Sequence, residues 1–216
     1  MNSEKEIIMF GRLSGSKMVN FRGGEIGQLF TEWNELKLNG FIVDFRSESK
    51  YAEWANVNSE NLCIVKEGSG IILFNGKNYT INEKHAFKIQ PGQQIIIKPL
   101  GKNLKIISIQ RLSSINEARE NGIDTTKIEI VDTDNLISKV YEFETLAKEV
   151  FTPKYKNGLG LIRFIFVNPI PIHLHPHSGR LILPISGKGL TYMEPNIYEA
   201  HNDTFALFPK GVIHTN

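Results

Sequence analysis

Asn75-Gly76 sits between two apolar runs, Gly70 to Phe74 and Lys77 to Ile81. A two-residue turn of this kind needs positive φ at both central positions, which Asn and Gly tolerate, and its twist matches that of paired strands. It commits this part of the chain to an antiparallel hairpin. Short apolar runs surround it at regular spacing: Gly40 to Phe45, Asn61 to Val65, Ala86 to Ile89, Gln94 to Lys98 and Leu104 to Gln110. Glu67-Gly68-Ser69-Gly70, Gln90-Pro91-Gly92 and Gly101-Lys102-Asn103 read as the turns between them. Strands of this length and spacing predict a small barrel or sandwich over residues 40–112.

The flanking segments are less regular. Ile7 to Phe10 reads as a strand, Arg22-Gly23-Gly24 as a turn, and Leu29 to Leu38 as a short helical turn. Ser114 as cap and Gly122 as stop predict a helix over Ile115 to Asn121. Lys127 to Val131 reads as a strand, whereas residues 134–150 fit neither the helical nor the strand period. From residue 151 the pattern returns to β, with runs at Gly160 to Val167, Leu181 to Ile185, Gly189 to Glu194 and Thr204 to Phe208. Gly187-Lys188-Gly189 punctuates them. Arg163 is the one charge in its run, and alternation puts it on the face of Leu161 and Ile165, so it needs either an anionic partner or an edge position.

Composition narrows the function. A chain of 216 residues holds one large or two small domains, and a net charge of +2 argues against nucleic acid or an anionic membrane as the main partner. Cys63 is the sole cysteine, lies in the apolar run Leu62 to Val65, and is expected to be a buried hydrophobe. No secretory leader or membrane span is legible, so a cytoplasmic location is expected.

Five of the six histidines, His173, His175, His177, His201 and His214, fall in the last 45 residues; the sixth is His85. On a strand, His173 and His175 point to one face. His214 follows Pro209 and Gly211 at the end of the run Thr204 to Phe208. If the two segments face each other, three neutral imidazoles converge, a donor set suited to Zn, Cu, Fe and Ni that leaves positions open for water or substrate. His85 and His201 read as loop histidines.

These residues resemble the two motifs of the cupin family. The first is HxH, three or four residues, Glu, six residues and Gly; His173, His175, Arg180 and Gly187 fit its spacing. The second is Gly, five residues, Pro-x-Gly, two residues, His, three residues and Asn; Asp203, Pro209, Gly211 and His214 fit it, with Asp203 in place of Gly and Asn216 short of the Asn position. The main departure is Arg180, where the family has a carboxylate ligand. A guanidinium offers no lone pair. Either the site is a three-histidine centre of His173, His175 and His214, as in some cupin-type dioxygenases, or it has lost metal and binds an anion through Arg180. His177 is a candidate substitute ligand.

Residues 40–112 resemble a cupin unit without its histidines. Trp54 and Asn56 stand where HxH would be and Ile95 where the second-motif histidine would be. That half is expected to be structural, with a pocket lined by Trp54 and Tyr79 as the lesser alternative. The resemblance thus implies an all-β bicupin of two jelly-roll (double-stranded β-helix) barrels: an N-terminal unit over 1–112, a partly helical connection over 113–150, and a metal-bearing unit over 151–216. Cupin barrels continue beyond the second-motif histidine, so either the native chain continues past Asn216 or closing strands are expected from the N-terminal segment or a partner, as in a homodimer.

The resemblance further implies a divalent transition metal, Fe(II) foremost, with Zn, Mn or Ni as alternatives, and a small-molecule ligand. Iron would suit a dioxygenase; the other metals would suit Lewis-acid isomerisation. Arg163 and Arg180 are the expected binders of a substrate carboxylate or phosphate, and Tyr192 or Glu194 the expected acid or base. The rival class is a non-catalytic module that binds a small anion.

Overall fold

A computed structural model describes residues 9–21, 23–34, 36–46, 51–140, 145–153, 158–166 and 168–215. The first strands are β1 (Met9–Arg12), β2 (Met18–Phe21), β3 (Gly24–Trp33), β4 (Leu38–Arg46), β5 (Ala52–Asn56), β6 (Ser59–Phe74), β7 (Lys77–Asn82), β8 (His85–Ile89) and β9 (Gln93–Leu112). A short helix, α1 (Ile115–Glu120), follows. Then come β10 (Glu129–Asp132), β11 (Lys139–Val140), β12 (Leu146–Phe151), β13 (Leu161–Ile165), β14 (Arg180–Ile182), β15 (Lys188–Met193), β16 (Asn196–His201), β17 (Thr204–Phe208) and β18 (His214–Thr215).

The hairpin at Asn75-Gly76 forms as its chemistry demands, with φ of 49° and 74°. The helix also forms as expected: the Ser114 hydroxyl accepts from the Glu117 amide at 3.1 Å, and Gly122 takes φ of 68° beyond the end. Three expectations fail. Leu29 to Leu38 is not helical; it spans the end of β3, a turn and the start of β4. Residues 61–65 and 70–74 are one strand, β6, and residues 94–98 and 104–110 are one strand, β9. The glycines between them mark shifts of register within paired strands, not reversals. At Gly68 φ is +80° and a Cβ would lie 2.0 Å from the Asn103 carbonyl oxygen, so only glycine lets β6 and β9 bend together there.

β9 organises a nine-stranded sheet in the order β10-β8-β6-β9-β4-β3-β2, with β5 also on β9 and β7 on β6. Its pairing partners change along its length: residues 103–110 lie against β4, and residues 93–97 lie against β5. The concave side is filled by apolar side chains, among them Ile72, Ile81, Phe87, Ile89, Ile95, Ile97, Leu104 and Ile106. Cys63 is buried with them, and burial pushes its thiol up to about 12. Trp54 and Tyr79, partly buried, pack against this core. The fold is all-β with jelly-roll character.

The convex side carries the rest of the chain. Leu62, Ile107 and Ile109 share a second core with Leu13, Val150, Phe151, Leu159, Phe205 and Leu207. β1, from the start of the chain, pairs with β17, so the order of that small sheet is β1-β17-β14. Two further three-stranded sheets, β11-β12-β13 and β16-β15-β18, complete the described architecture.

Between the second core and the nine-stranded sheet lies a buried ionic network. The Glu60 carboxylate takes Lys88 Nζ at 3.1 Å and Arg111 Nε at 3.3 Å, with all three residues 5% exposed or less. Arg111 also reaches Glu117 at 3.0 Å, so the four charges cancel. Lys88 donates to the Leu159 carbonyl and Glu60 accepts from the Leu159 amide, which ties the segment before β13 to the large sheet. Charges without water depend on one another: removing one partner of a buried pair costs about 3–5 kcal/mol. Glu60→Gln should therefore lower unfolding stability by about that amount in urea titration. A loss below about 1 kcal/mol, the range of exposed pairs, would refute the role given to this network.

Candidate metal centre

The site is assembled by backbone pairing before any side chain is considered. All five residues of β17 are buried, held between β1 and β14. After Phe208 the chain reverses at Pro209 to Gly211, where Val212 donates to the Pro209 carbonyl at 3.3 Å and Gly211 takes φ of 77°. The returning segment then pairs with the HxH segment. Gly211 N–H donates to the His175 carbonyl at 2.8 Å, and His173 and His214 exchange both backbone hydrogen bonds at 2.9 Å. His214 also faces Met193 across β15 and β18.

This pairing brings three imidazoles together. Ring centroids are 4.4 Å apart for His173–His214, 5.1 Å for His173–His175 and 5.3 Å for His175–His214. One ring nitrogen from each lies within 4.8 Å of the others. Two rings are fixed in tautomer by the same local contact. His173 Nδ1 donates to the Pro171 carbonyl at 2.8 Å, and His214 Nδ1 donates to the Val212 carbonyl at 2.9 Å. A carbonyl only accepts, so Nδ1 carries the proton and Nε2 keeps its lone pair in the neutral ring. Phe208, fully buried, stacks on His214 at 4.2 Å between centroids and fixes the ring plane.

Electrostatics disfavour protonation of His175 and His214. Burial, then the Arg180 guanidinium and the two other imidazoles, push His175 down to about 4. Burial also holds His214 below its ordinary value, against the contrary pull of its bond to Val212. Neutral imidazole is the form that ligates metal. Arg180 is exposed, opposite Phe208 in the β14–β17 ladder, and partial burial lowers its pKa.

The residues present fit a metal ion. His214 Nε2 is buried with no hydrogen-bond partner, a situation that costs roughly 1–3 kcal/mol and that a cation relieves. Ligation at about 2.1 Å sets the ligating nitrogens closer together than the 4.8 Å bound within which they lie here, so the rings would draw in on binding. The all-nitrogen donor set suits Fe, Ni, Cu or Zn better than Mn, which favours oxygen ligands.

Other residues singled out from the sequence lie apart from this cluster. His177 is exposed in a bend after Pro176, not in phase with His175 on a strand, and is not among the clustered donors. Glu194 lies in the exposed turn between β15 and β16, not on a strand. Tyr192 pairs with Ile197 and Thr215 and so faces away from Met193 and His214. Arg163 finds its anionic partner within the fold: its Nη1 donates to Thr133 Oγ1 and Asp134 Oδ1, each at 2.8 Å. It is not among the charges acting on His175 or His214. His85 and His201 serve turns, their Nδ1 atoms accepting from the amides of Asn82 and Asp203. Sequence reasoning missed Phe208 and Met193, and alternation from His214 along paired strands was the available signal for both.

The depressed histidines give the metal-free protein a defined pH response. The unfolded chain takes up protons near 6.5, the folded His175 only near about 4. Between those values the unfolded state binds more protons, so stability falls as pH drops from 6.5 toward about 4 and is unaffected above 6.5. Urea midpoints of metal-free protein across this range should show the slope, and His175→Asn should flatten it; equal slopes would overturn the assignment.

No family model matches the chain, and no curated protein matches it in sequence. Solved structures do. A putative glyoxylate induced protein from Pseudomonas aeruginosa superposes with a TM-score of 0.72 at 9% identity, over 100% of this chain and 86% of that one. The oxalate decarboxylase of Lactobacillus farciminis, solved as a formate complex, gives 0.65 at 11% identity over 96% and 81%. A cupin 2 conserved barrel domain protein from Leptotrichia buccalis gives 0.63 at 14% identity over 91% and 85%. At such identities the likeness speaks for architecture alone: the chain has a cupin fold, and its HxH and PxGxxH histidines come together in it.

Proposed function

We propose that this protein is a metal-binding bicupin in which His173, His175 and His214 hold one divalent transition metal, Fe(II) foremost, for oxygenase or isomerase chemistry on a small molecule. The observation that carries the reading is the buried, unpartnered Nε2 of His214 within a cluster of three imidazoles. A metal held by three protein ligands supplies Lewis acidity and, if it is iron, redox chemistry with O₂ at its open positions. The chain's own residues fix the tautomers of His173 and His214, disfavour protonation of His175 and His214 and, through Phe208 and Met193, keep water from one side of His214. The acid–base roles expected of Tyr192 and Glu194 draw no support from their positions, nor does substrate binding by Arg163.

A degenerate N-terminal unit is part of the reading. Trp54 and Ile95 are antiparallel partners in β5 and β9, as His173 and His214 are in the second half. Gly92 has φ of 83° where Gly211 has 77°, in matching turns. Apolar side chains have replaced ligands at corresponding places, which accords with a duplication whose first copy serves packing. A cytoplasmic homodimer acting on a small molecule, without nucleic acid or membrane, remains the expected setting. Among the described residues no helix is long and apolar enough to cross a membrane.

The second reading is a non-catalytic module for a small anion, favoured by Arg180 in the place of a carboxylate ligand. Metal content decides between them first. Purified protein should carry near one equivalent of metal by mass spectrometry, and His175→Ala and His214→Ala should lose it while staying folded by circular dichroism. Absence of metal from the unaltered protein, even after reconstitution, would sink the catalytic reading. Arg180→Glu removes a repelling cation and adds a carboxylate at the family's spacing; metal affinity should rise at least about tenfold, ~1.4 kcal/mol. An unchanged affinity in a competition titration with a chelator would show that Arg180 does not face the ion.

A further inference from the structure

The Arg180 side chain has no hydrogen bond or ion pair with any described residue, yet its charge acts on His175 and on His214. No carboxylate is among the groups that perturb Arg180, His175 or His214. Its geometry gives the reason. Arg180 and Phe208 are cross-strand partners, so their side chains leave the same face, and the Phe208 ring lies on His214. The guanidinium therefore stands beside the imidazoles, on the side open to solvent.

Charge balance then restricts the ligand. Three neutral imidazoles leave the full +2 of a bound divalent ion, and Arg180 adds +1. A cupin site with a carboxylate ligand at this position would instead total +1. One substitution thus shifts the site by two charges, and half-desolvated like charges at short range repel unless counter-charge arrives with the ligand. A guanidinium presents parallel N–H donors that match a carboxylate two-for-two.

We propose that Arg180 makes this centre selective for small dianions, with one carboxylate of a short dicarboxylate on the guanidinium and the other on the metal. The inference rests on the metal reading above. Arg180 is here the specificity-determining residue. A monoanion satisfies one of the two cationic groups and leaves the other bare, whereas a dianion satisfies both.

The test is calorimetric titration of metal-loaded protein with malonate and with acetate at fixed ionic strength in a non-coordinating buffer, with metal content measured on each sample. Malonate should bind at least about tenfold more tightly than acetate, the scale of one added charge-assisted contact. Arg180→Gln should reduce malonate affinity about tenfold or more while acetate affinity changes by less than about threefold. Arg180→Lys should keep part of the preference, which separates charge from the paired donor geometry. Metal present with malonate and acetate binding alike, or with their ratio unchanged in Arg180→Gln, overturns this proposal alone. Metal absent from the unaltered protein overturns the metal reading and this proposal with it.

Discussion

The pairing of His173 with His214 through two backbone hydrogen bonds is the interaction on which the centre depends. It sets the distance between the two segments, and the side chains inherit that distance. It exists because β17 is fully buried and immobilised between β1 and β14, so the turn at Pro209 to Gly211 starts from a fixed place and direction. Gly211 then has the backbone freedom to send His214 back toward His173. The buried network around Glu60 acts one layer further out, holding the segment before β13 on the large sheet. The histidines are thus the end of a chain of constraints that begins in the cores.

The same arrangement explains the electrostatic character of the site. Burial disfavours imidazolium, and neighbouring rings and Arg180 add to that, so protons are kept away from the nitrogens that a metal would use. Carbonyls at positions 171 and 212 take the remaining N–H of two rings. Preparation of ligands by such outer contacts is what makes a donor cluster selective for a metal over a proton. Where the cupin motif that this stretch resembles has an acid, this chain has Arg180, and the two differ in what they ask of an incoming molecule.

Much of this was legible in the sequence, and the failures have physical causes. Residues 204–208 were read as a strand with the bounds found, and the HxH and PxGxxH spacings pointed to the three histidines that meet. The Asn75-Gly76 turn was equally plain, since few residues accept its dihedrals. What failed was local inference from glycine. Gly68 and Gly101 signal a reversal when read alone, but a positive φ also suits a bulge, and here each lies inside a continuous strand. The choice between the two is made by a partner strand tens of residues away. Arg163 shows the same limit, because its partner Asp134 lies in a segment whose pattern fitted neither period. Phe208 was visible only as a strand end, and its stacking on His214 needed the return of the chain after Gly211.

β1 pairs with β17 across almost the whole length of the chain, Met9 opposite Leu207 and Arg12 opposite Thr204. A ribosome releases Met9–Arg12 long before Thr204–Phe208 exists to receive it. The first strand must wait unpaired, with its backbone donors and acceptors open, until Thr204–Phe208 has been made. Contacts this distant close late and slowly. The three-histidine cluster, which depends on a fixed β17, therefore cannot form before Thr204–Phe208 has been made. It becomes competent only after release of the second strand, which makes the interval between the two the period when the nascent protein is most exposed to mispairing and to chaperones.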